Sequence, residues 1–312
     1  MKVLIYGAGV IGSIFAGKLG KAGHDVTVLA RGKRYDELTQ KGLILKKANS
    51  KVQEITHPKI INELRAEDFY EYIMVVVQKQ QVAEILPVLG ANCSKNIVLV
   101  VNNPSGYEDW VAAVGKERVM IGFPAAGGER HDGIVSYFIM NGLLRQFQTT
   151  TFGEYDGRLT QRLKLLITSF NKAGIGSVSC VDMNSWQKYH VAMIGAIADL
   201  LYQYDTDNYE ASRHYQDIVT CVRAIQEGFL VLKTLGHRVT PGKMRIYLLP
   251  VPVVARIFQL ILKTEFSETV MAKHTKAGSV EVRALQKEFD SLIKRSGVKT
   301  PNIDQLRAAG LK

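Results

Sequence analysis

Six residues near the N-terminus have the spacing of a phosphate-binding loop. Gly7-Ala8-Gly9-Val10-Ile11-Gly12 follows the apolar run Val3–Tyr6, which predicts a buried strand, and precedes Ser13–Ala22, which predicts a helix. A second predicted strand, Asp25–Leu29, completes a strand–helix–strand unit. In this context a G-x-G-x-x-G pattern binds the pyrophosphate of a dinucleotide. A glycine-rich turn without a ligand is the alternative.

Each glycine of the pattern has a separate physical task. Gly7 allows a tight turn after the strand, Gly9 has no side chain to block a pyrophosphate, and Gly12 lets the helix lie close to the sheet. The helix then presents N–H groups and the positive end of its dipole to the phosphates. The predicted cofactor-binding residues of this loop are Gly7, Ala8, Gly9, Val10, Ile11 and Gly12.

The residues after the second strand indicate which dinucleotide binds. NAD-binding units usually carry Asp or Glu there, to bind the ribose 2′-hydroxyl. This chain has Ala30-Arg31-Gly32-Lys33-Arg34 and no acid before Asp36. A cationic cluster suits the 2′-phosphate of NADP, to which Arg31 is able to donate two parallel hydrogen bonds. The sequence therefore predicts NADP(H) as cofactor, and a solvated basic turn is the alternative.

Length and composition are those of an ordinary globular protein with two domains. The chain has 312 residues, which is long for a single core, and it is 46% apolar and 22% charged. The formal net charge is +11. Lys and Arg are scattered along the chain and no nucleic-acid-binding motif stands out, so we expect no nucleic-acid partner.

Three sequence features favour a cytoplasmic location. Cys93, Cys180 and Cys221 are widely spaced and fit no metal-binding pattern, which predicts packed thiols in a reducing compartment. The N-terminus leads directly into the first predicted strand, so we expect no secretory signal. The most apolar late stretch, 247–262, is short and contains two prolines, which argues against a membrane span.

The order of predicted elements indicates an α/β fold. Strands at 72–77, 97–101 and 119–123 alternate with helices, and hairpins are predicted around Asn49-Ser50 and between residues 127 and 153. We predict a Rossmann-type, doubly wound, mostly parallel sheet with an antiparallel edge. Beyond Asp182 the pattern is helical, with segments at 184–202, 213–235, 241–247, 251–264 and 280–296. The predicted domains are residues 1–180 and an all-helical region, 181–312.

Further segments carry a resemblance to a known family. Phe152-Gly153-Glu154-Tyr155-Asp156-Gly157 precedes a predicted helix at 159–173, and Trp186-Gln187-Lys188 opens a long one. Together with the N-terminal unit and Asn102-Asn103, these segments make nearly the whole chain resemble the ketopantoate reductase family. Members reduce 2-dehydropantoate to (R)-pantoate with NADPH, in pantothenate biosynthesis. The resemblance implies an NADP-binding Rossmann domain and a helical substrate and catalytic domain, like those of 6-phosphogluconate dehydrogenase-like enzymes, with the active site in the cleft between them.

The resemblance also implies roles for four residues. Lys188 falls on the general acid of the family, and an ammonium there suits the chemistry, because hydride addition to a 2-oxo carbon leaves an alkoxide. Glu281 matches a glutamate that contacts the hydroxyl end of the substrate, and Thr269 matches a substrate-binding serine. Asn103 matches an asparagine near the nicotinamide and the substrate. The structural alternatives are a surface lysine for Lys188 and a turn residue before Pro104 for Asn103.

The sequence departs from the family pattern at three positions. Ala192 and Ala196 stand one and two helical turns after Lys188, where the family has substrate-holding asparagines. Gln78 stands where the family has a lysine, although Lys79 is adjacent. The two alanines either let another helix approach closely or leave room for a larger, less polar substrate.

Three functions follow from these observations. The first is NADPH-dependent reduction of a 2-oxo acid, with 2-dehydropantoate as the substrate. The second is a reductase of the same fold with a different small carbonyl substrate, as Gln78, Ala192 and Ala196 suggest. The third is a catalytically inactive NADP-binding regulatory protein, against which the retention of Lys188 and Glu281 argues. A homodimer formed through the helical region is a further expectation, and no metal ligands are predicted.

Overall fold

A computed structural model of the chain describes residues 1–48, 50–139 and 149–310. The residues group into two compact units. One contains Met1–Val101 and Tyr107–Met183, and the other contains Asn102–Gly106 and Asn184–Lys312. The division of the chain into an NADP-binding domain, 1–180, and a substrate domain, 181–312, stays a prediction.

The first unit is built on an eight-stranded sheet. Its strands are β1 Lys2–Tyr6, β2 Asp25–Leu29, β5 Lys59–Ile61, β6 Tyr72–Val75, β7 Ile97–Val100, β8 Val119–Phe123, β11 Thr150–Glu154 and β12 Ser177–Ser179, in the order β12-β11-β8-β7-β6-β1-β2-β5. The six adjacent strands β8-β7-β6-β1-β2-β5 all pair in parallel. β11 is antiparallel to β8 and parallel to β12. The predicted Rossmann-type sheet, mostly parallel with an antiparallel pairing toward one edge, is confirmed.

The described part of the first unit contains five α-helices: α1 Val10–Lys21, α2 Gly32–Lys41, α3 Val82–Ala91, α4 Glu108–Val114 and α5 Gln161–Lys172. The central strands β6 and β7 are buried at every residue, as strands covered on both faces must be. α4 has seven residues. It ends where Gly115 adopts a φ of +97°, a conformation that stops a right-handed helix.

A second, four-stranded sheet lies in the same unit. Its strands are β3 Leu43–Lys47, β4 Gln53–Thr56, β9 Gly127–His131 and β10 Ile134–Phe138, in the order β4-β3-β10-β9. The predicted hairpins are present as the pairs β3–β4 and β9–β10, and Asn49 and residues 140–148 of the predicted stretches lie outside the described residues. Parallel pairing of β3 with β10 joins them. A Cβ on Gly17 of α1 would lie 2.5 Å from Leu45 Cδ1, so the helix after the glycine loop packs tightly on this sheet.

The second unit is helical, as predicted. Its helices are α6 Met183–Tyr202, whose first residue belongs to the first unit, α7 Asn208–Ala211, α8 Tyr215–Thr234, α9 Val251–Leu262, α10 Glu265–Ser267, α11 Lys273–Ala277, α12 Ser279–Ser296 and α13 Pro301–Ala309. A 3₁₀ helix, Gly242–Leu248, precedes α9, and a π-helical turn, Glu268–Ala272, follows α10. The core of the unit is formed largely by α6, α8, α9 and α12. The sequence predicted neither the short helices nor α13.

Two further findings bear on the sequence predictions. No single helix in the described residues is long and apolar enough to cross a membrane, and the one helix pair with sufficient length and apolarity is bent by 115°.

The three cysteines are free thiols, and Cys221 is buried as predicted. Cys93 is exposed, contrary to the prediction of a packed thiol, because it lies just beyond the end of α3.

Candidate functional site

The glycine loop has the geometry that its sequence predicts. Gly7 adopts a φ of +114°, and a Cβ there would lie 2.3 Å from the carbonyl oxygen of Val76. A Cβ on Gly12 would lie 2.0 Å from the carbonyl oxygen of Gly7. A Cβ on Gly9 would meet no atom within 4 Å. The loop is therefore closed against the protein at Gly7 and Gly12 and open at Gly9.

The N-terminus of α1 suits an anionic ligand. Gly9 is its N-cap residue and provides no side chain to bind the first N–H groups of the helix. These groups have no acceptor inside a helix, and the positive end of the helix dipole lies beside them. Because the loop is also open at Gly9, residues Gly7–Gly12 fit the pyrophosphate of a dinucleotide.

Arg34, in the basic cluster after β2, is held by the protein itself. Its Nε donates to the carbonyl oxygen of Ala8 at 3.3 Å, and its Nη2 donates to Ser13 Oγ at 3.2 Å. Its Nη1 donates to Glu37 Oε2 at 3.1 Å and to the carbonyl oxygen of Gly133 at 3.2 Å. Arg34 thus ties the glycine loop to α2 and to the β9–β10 turn, a role that the sequence did not predict.

Arg31, in the same cluster, is exposed and has a defined orientation. It is the N-cap residue of α2, and its Nη2 donates to the phenol oxygen of Tyr6 at 3.0 Å. Tyr6 is the last residue of β1 and is 3% exposed. Burial raises the pKa of Tyr6, and the charge of Arg31 opposes that effect. The phenol is therefore neutral at physiological pH and accepts the hydrogen bond without cancelling the arginine charge.

The loop after β7, Asn102–Gly106, belongs to the second unit. Asn103 is 1% exposed, its Nδ2 donates to the carbonyl oxygen of Gly106, and its Oδ1 accepts from Ser105 N at 3.1 Å. These contacts make Asn103 a shaping residue of the loop, as its turn alternative predicts. Its proposed contact with the nicotinamide and the substrate stays a prediction.

Asn102, which the sequence did not single out as a site residue, contacts a predicted one. Its Nδ2 donates to Glu281 Oε1 at 3.4 Å. Its Oδ1 is buried and has no hydrogen-bond partner in the described part of the chain. Ser105 also donates to Glu288, two turns further along α12. The polar pair at the carboxyl end of a parallel strand was the signal that could have identified Asn102.

Glu281 is the third residue of α12 and is partly buried. Burial raises the pKa of its carboxyl, and the hydrogen bond from Asn102 acts in the opposite direction. Glu281 therefore retains its proton to a higher pH than an exposed glutamate does.

Lys188 is 4% exposed and lies on α6. Its Nζ donates to Oδ1 of Asn184, one turn earlier in the same helix. The alternative prediction, that Lys188 is a surface lysine, is thus wrong. The hydrogen bond to Asn184 fixes the ammonium group, and a fixed position is one of the requirements for a general acid.

The first turns of α6 are anchored on the loop after α8. Ser185 Oγ lies 3.0 Å from Nδ1 of His237, and the phenol of Tyr189 donates to the carbonyl oxygen of His237 at 3.1 Å. Trp186 is 6% exposed and stacks on His190, with ring centroids 5.3 Å apart. The Trp186-Gln187-Lys188 segment is therefore held from several sides.

The small residues after Lys188 face other helices of the second unit. A Cβ on Gly228 of α8 would lie 3.0 Å from Ala192 Cβ, so α6 and α8 approach closely. Ala192 and Ala196 also border a cavity of about 20 Å³ that Asp199 and Gln286 help to line. That volume holds about one water molecule. Close packing, rather than space for a larger substrate, explains the alanines.

Asp199, further along α6, links three helices. Its carboxylate accepts from Arg283 Nη1 and from Gln286 Nε2, each at 2.8 Å. Nε of Arg307, in α13, lies 4.0 Å from Oδ2 of Asp199, and Nη1 of Arg307 donates to Asp290 of α12. Burial raises the pKa of Asp199, and these partners oppose that effect. The cluster is an internal support of the helical unit.

The remaining predicted residues lie in irregular segments. Thr269 lies in the π-helical turn Glu268–Ala272, a type of turn that often occurs at functional sites, and it is partly buried. The backbone N–H of Gln78 donates to Oε1 of Gln81 at 3.1 Å, at the start of a 3₁₀ turn. Lys79 Nζ lies 5.5 Å from the ring centroid of Trp110. The roles of Thr269 and Lys79 toward a substrate stay predictions.

Among the described residues, no group of three or more His, Cys, Asp or Glu is arranged to hold a metal ion.

Curated relatives are found at low identity. The chain is 26% identical over 199 residues to an uncharacterised oxidoreductase, YkpB, of Bacillus subtilis (strain 168), and this match spans 61% of each protein. It is 24% identical over 319 residues to the 2-dehydropantoate 2-reductase of Aquifex aeolicus (strain VF5), which covers 96% of this chain and 93% of that protein.

Solved structures share the fold. A D-mandelate dehydrogenase in complex with NADH and anilino(oxo)acetate superposes with a TM-score of 0.79 at 16% identity, over 100% of this chain and 97% of that one. A dimeric ketopantoate reductase from Staphylococcus aureus gives a TM-score of 0.72 at 13% identity, over 100% and 98%. At these identities the similarity concerns the fold alone.

The family assignment comes from the N-terminal half of the chain. Residues 3–157, which include the glycine loop and Arg31, match the family model of ketopantoate reductase PanE/ApbA. The relative from Aquifex aeolicus extends the similarity over nearly the whole sequence. The chain belongs to the ketopantoate reductase family, as a divergent member.

Proposed function

We propose that this protein reduces a 2-oxo acid with NADPH, and that 2-dehydropantoate, reduced to (R)-pantoate, is its substrate. The observation that carries the proposal is the burial of Lys188 beside Asn184, in a chain that also has an open glycine loop. A buried ammonium has few structural uses, and in this family its position is that of the general acid.

The glycine loop and Arg31 would hold the cofactor. The N–H groups at the start of α1 would bind the pyrophosphate, and Arg31 would bind the 2′-phosphate that distinguishes NADP from NAD. When bound, the nicotinamide supplies the hydride for reduction of the carbonyl. A fold neighbour was solved with NADH. The exposed cation at Arg31, with no acid beside it in the sequence, is our reason for choosing NADP.

The second unit would supply the proton and orient the substrate. Lys188 would neutralise and protonate the alkoxide that forms at the 2-oxo carbon, and Asn184 orients its ammonium group. Glu281, held by Asn102, would accept a hydrogen bond from the substrate hydroxyl. The hydroxyl of Thr269 would add a second contact to the substrate. The roles of Lys188 and Glu281 follow from the family pattern and from their contacts, and that of Thr269 follows from the family pattern alone.

A second candidate function is reduction of a different small carbonyl compound by the same residues. Ala192, Ala196 and Gln78 replace two asparagines and a lysine of the family pattern. Each missing hydrogen bond to a buried ligand group costs about 1–3 kcal/mol. An inactive NADP-binding regulatory protein is a weaker candidate, since such a protein has no need of a buried Lys188.

Absorbance of NADPH in the presence of ketopantoate tests the proposal directly. Turnover above background supports it, and folded protein that binds NADPH but does not turn over ketopantoate rules out this substrate. A panel of 2-oxo acids then tests the second candidate. No turnover with any member of the panel favours the regulatory protein.

We also propose that two copies associate through α9. Val253, Ile257 and Leu260 are 47%, 37% and 66% exposed and, at spacings of four and three, lie on one face of the helix. Leu230 of α8, the helix that packs on α9, is 50% exposed. An exposed apolar face of this kind suits a protein interface. A dimeric ketopantoate reductase has the same fold.

A further inference from the structure

We infer that Tyr6 is a positioning residue for cofactor selection, because its phenol holds the guanidinium of Arg31 where a 2′-phosphate would bind. The inference rests on the proposed binding of NADP by Arg31. It goes beyond the glycine pattern, in which residue 6 is only the last position of the strand.

The phenol oxygen of Tyr6 is a fixed point at the end of the sheet. Tyr6 pairs with Leu29 of β2 on one side and with Val75 of β6 on the other, so neighbours on both sides hold its main chain. Its side chain lies in the apolar core and is 3% exposed. The residue that follows is Gly7, so the phenol is connected rigidly to the phosphate-binding loop.

Arg31 needs such a fixed point because its side chain is long and exposed and can adopt many rotamers. It is exposed, it precedes α2, and a long arginine side chain loses much rotational freedom when a ligand orders it. The 3.0 Å hydrogen bond to Tyr6 selects one orientation before a ligand arrives. One of five guanidinium N–H groups is used, which leaves the paired edge that binds phosphate. Preorganisation of this kind increases affinity.

A tyrosine is chemically suited to this task. An Asp or Glu in the same place would hold the guanidinium but would also cancel its charge and repel a phosphate. A neutral phenol accepts the hydrogen bond and leaves the positive charge of Arg31 intact. Tyr6 therefore favours the phosphorylated dinucleotide without itself contacting it.

A double-mutant cycle on the full chain tests the inference, with dissociation constants measured for NADPH and NADH. Arg31→Ala should weaken NADPH binding about tenfold or more and leave NADH binding nearly unchanged. Tyr6→Phe keeps the ring and should weaken NADPH binding about three- to tenfold, again without an effect on NADH. Tyr6→Phe added to Arg31→Ala should have no further effect. Tyr35→Phe, which removes a phenol from α2, is the control.

The outcomes separate the inference from the proposed function. If Arg31→Ala weakens NADPH and NADH equally, the NADP assignment is wrong. If Arg31→Ala weakens NADPH binding more than NADH binding but Tyr6→Phe does not, Arg31 distinguishes the two dinucleotides without Tyr6. That result overturns the inference. Equal weakening of both dinucleotides by Tyr6→Phe, with a lower unfolding temperature, assigns Tyr6 to packing only and also overturns it.

Discussion

Asn102 donates a hydrogen bond to Glu281 across 3.4 Å, although the two residues are 179 positions apart in the sequence. The bond opposes the effect of burial, which raises the pKa of the Glu281 carboxyl. Asn102 Oδ1 is buried without a hydrogen-bond partner among the described residues, so only one end of the amide is satisfied. The pair thus combines an incompletely satisfied amide with a partly desolvated acid, a combination more typical of a binding site than of a core.

Glu281→Gln should stabilise the fold at neutral pH. The raised pKa means that the folded state binds the proton more tightly than the unfolded chain does. The contribution of this carboxyl to stability is then full below the unfolded pKa of about 4.3 and is lost as the pH rises through the folded pKa. Calorimetric unfolding should show a higher midpoint than wild type at pH 7 and a smaller difference near pH 4. A constant difference across that range would contradict the prediction.

Lys188→Ala should lower the rate of carbonyl reduction by about 100-fold or more, because a positioned general acid contributes at least that much. NADPH affinity should stay within about twofold of wild type, since Lys188 acts on the substrate. Steady-state kinetics and a binding titration measure the two effects. Lys233→Ala, at an exposed position of α8, is the matched control. Reduction at the wild-type rate by Lys188→Ala would exclude the general-acid role.

Gly9→Ala and Gly12→Ala should fail in different ways. The added methyl group at position 9 meets no protein atom within 4 Å, so this variant should fold normally and lose about tenfold or more in NADPH affinity. At position 12 the methyl group would lie 2.0 Å from the Gly7 carbonyl oxygen, so this variant should lose several kcal/mol of folding stability, roughly the upper end of single-residue effects. Chemical denaturation and NADPH titration distinguish them. Unchanged NADPH binding by Gly9→Ala would show that no pyrophosphate lies there.

Ala192→Asn restores a family side chain but should not restore its function. Ala192 is 8% exposed and packs where α8 has Gly228, so the larger side chain should cost about 1–3 kcal/mol of stability. Denaturant unfolding gives the cost, and Ala277→Asn, at an exposed position, controls for the change in helix propensity. A variant of unchanged stability with improved turnover of ketopantoate would mean that the alanine stripe faces substrate.

Leu260→Glu should convert a dimer into a monomer. Leu260 is 66% exposed, and a carboxylate in the centre of an apolar interface would be buried without a partner. Light scattering after size-exclusion chromatography measures the mass. Leu165→Glu places the same charge at a leucine of α5 that is 51% exposed, and it should leave the dimer intact. A monomeric wild-type protein at high concentration would remove the basis of the proposal.

The glycine loop could be predicted in detail because its causes are local. Gly12 meets Gly7 within the strand–helix–strand unit, Gly7 meets Val76 just after the neighbouring strand β6, and Gly9 faces open space. The spacing alone identified these positions. The roles of Arg31 and Arg34 could not be distinguished in the same way. The partners of Arg34 include Gly133, 99 residues away, and no local pattern shows which arginine of a cluster is bound internally.

The site residues of the second unit show the same limit. Asn102 and Asn103 are adjacent and chemically identical, yet one shapes its own loop and the other contacts α12. The choice depends on the path of the loop and on a helix far along the chain. Lysines are mostly exposed, and Lys188 is buried because α6 packs inside the helical unit. That packing involves residues far along the chain.

The contact between Arg34 and the β9–β10 turn has a practical consequence. Asp132-Gly133 forms an exposed hairpin tip, the type of site often chosen for an inserted tag or a fluorescent label. Here the carbonyl oxygen of Gly133 shares an arginine with that of Ala8, in the glycine loop. A label at this tip would disturb the loop to which the dinucleotide is expected to bind, so a reporter that must leave cofactor affinity unchanged belongs elsewhere on the chain.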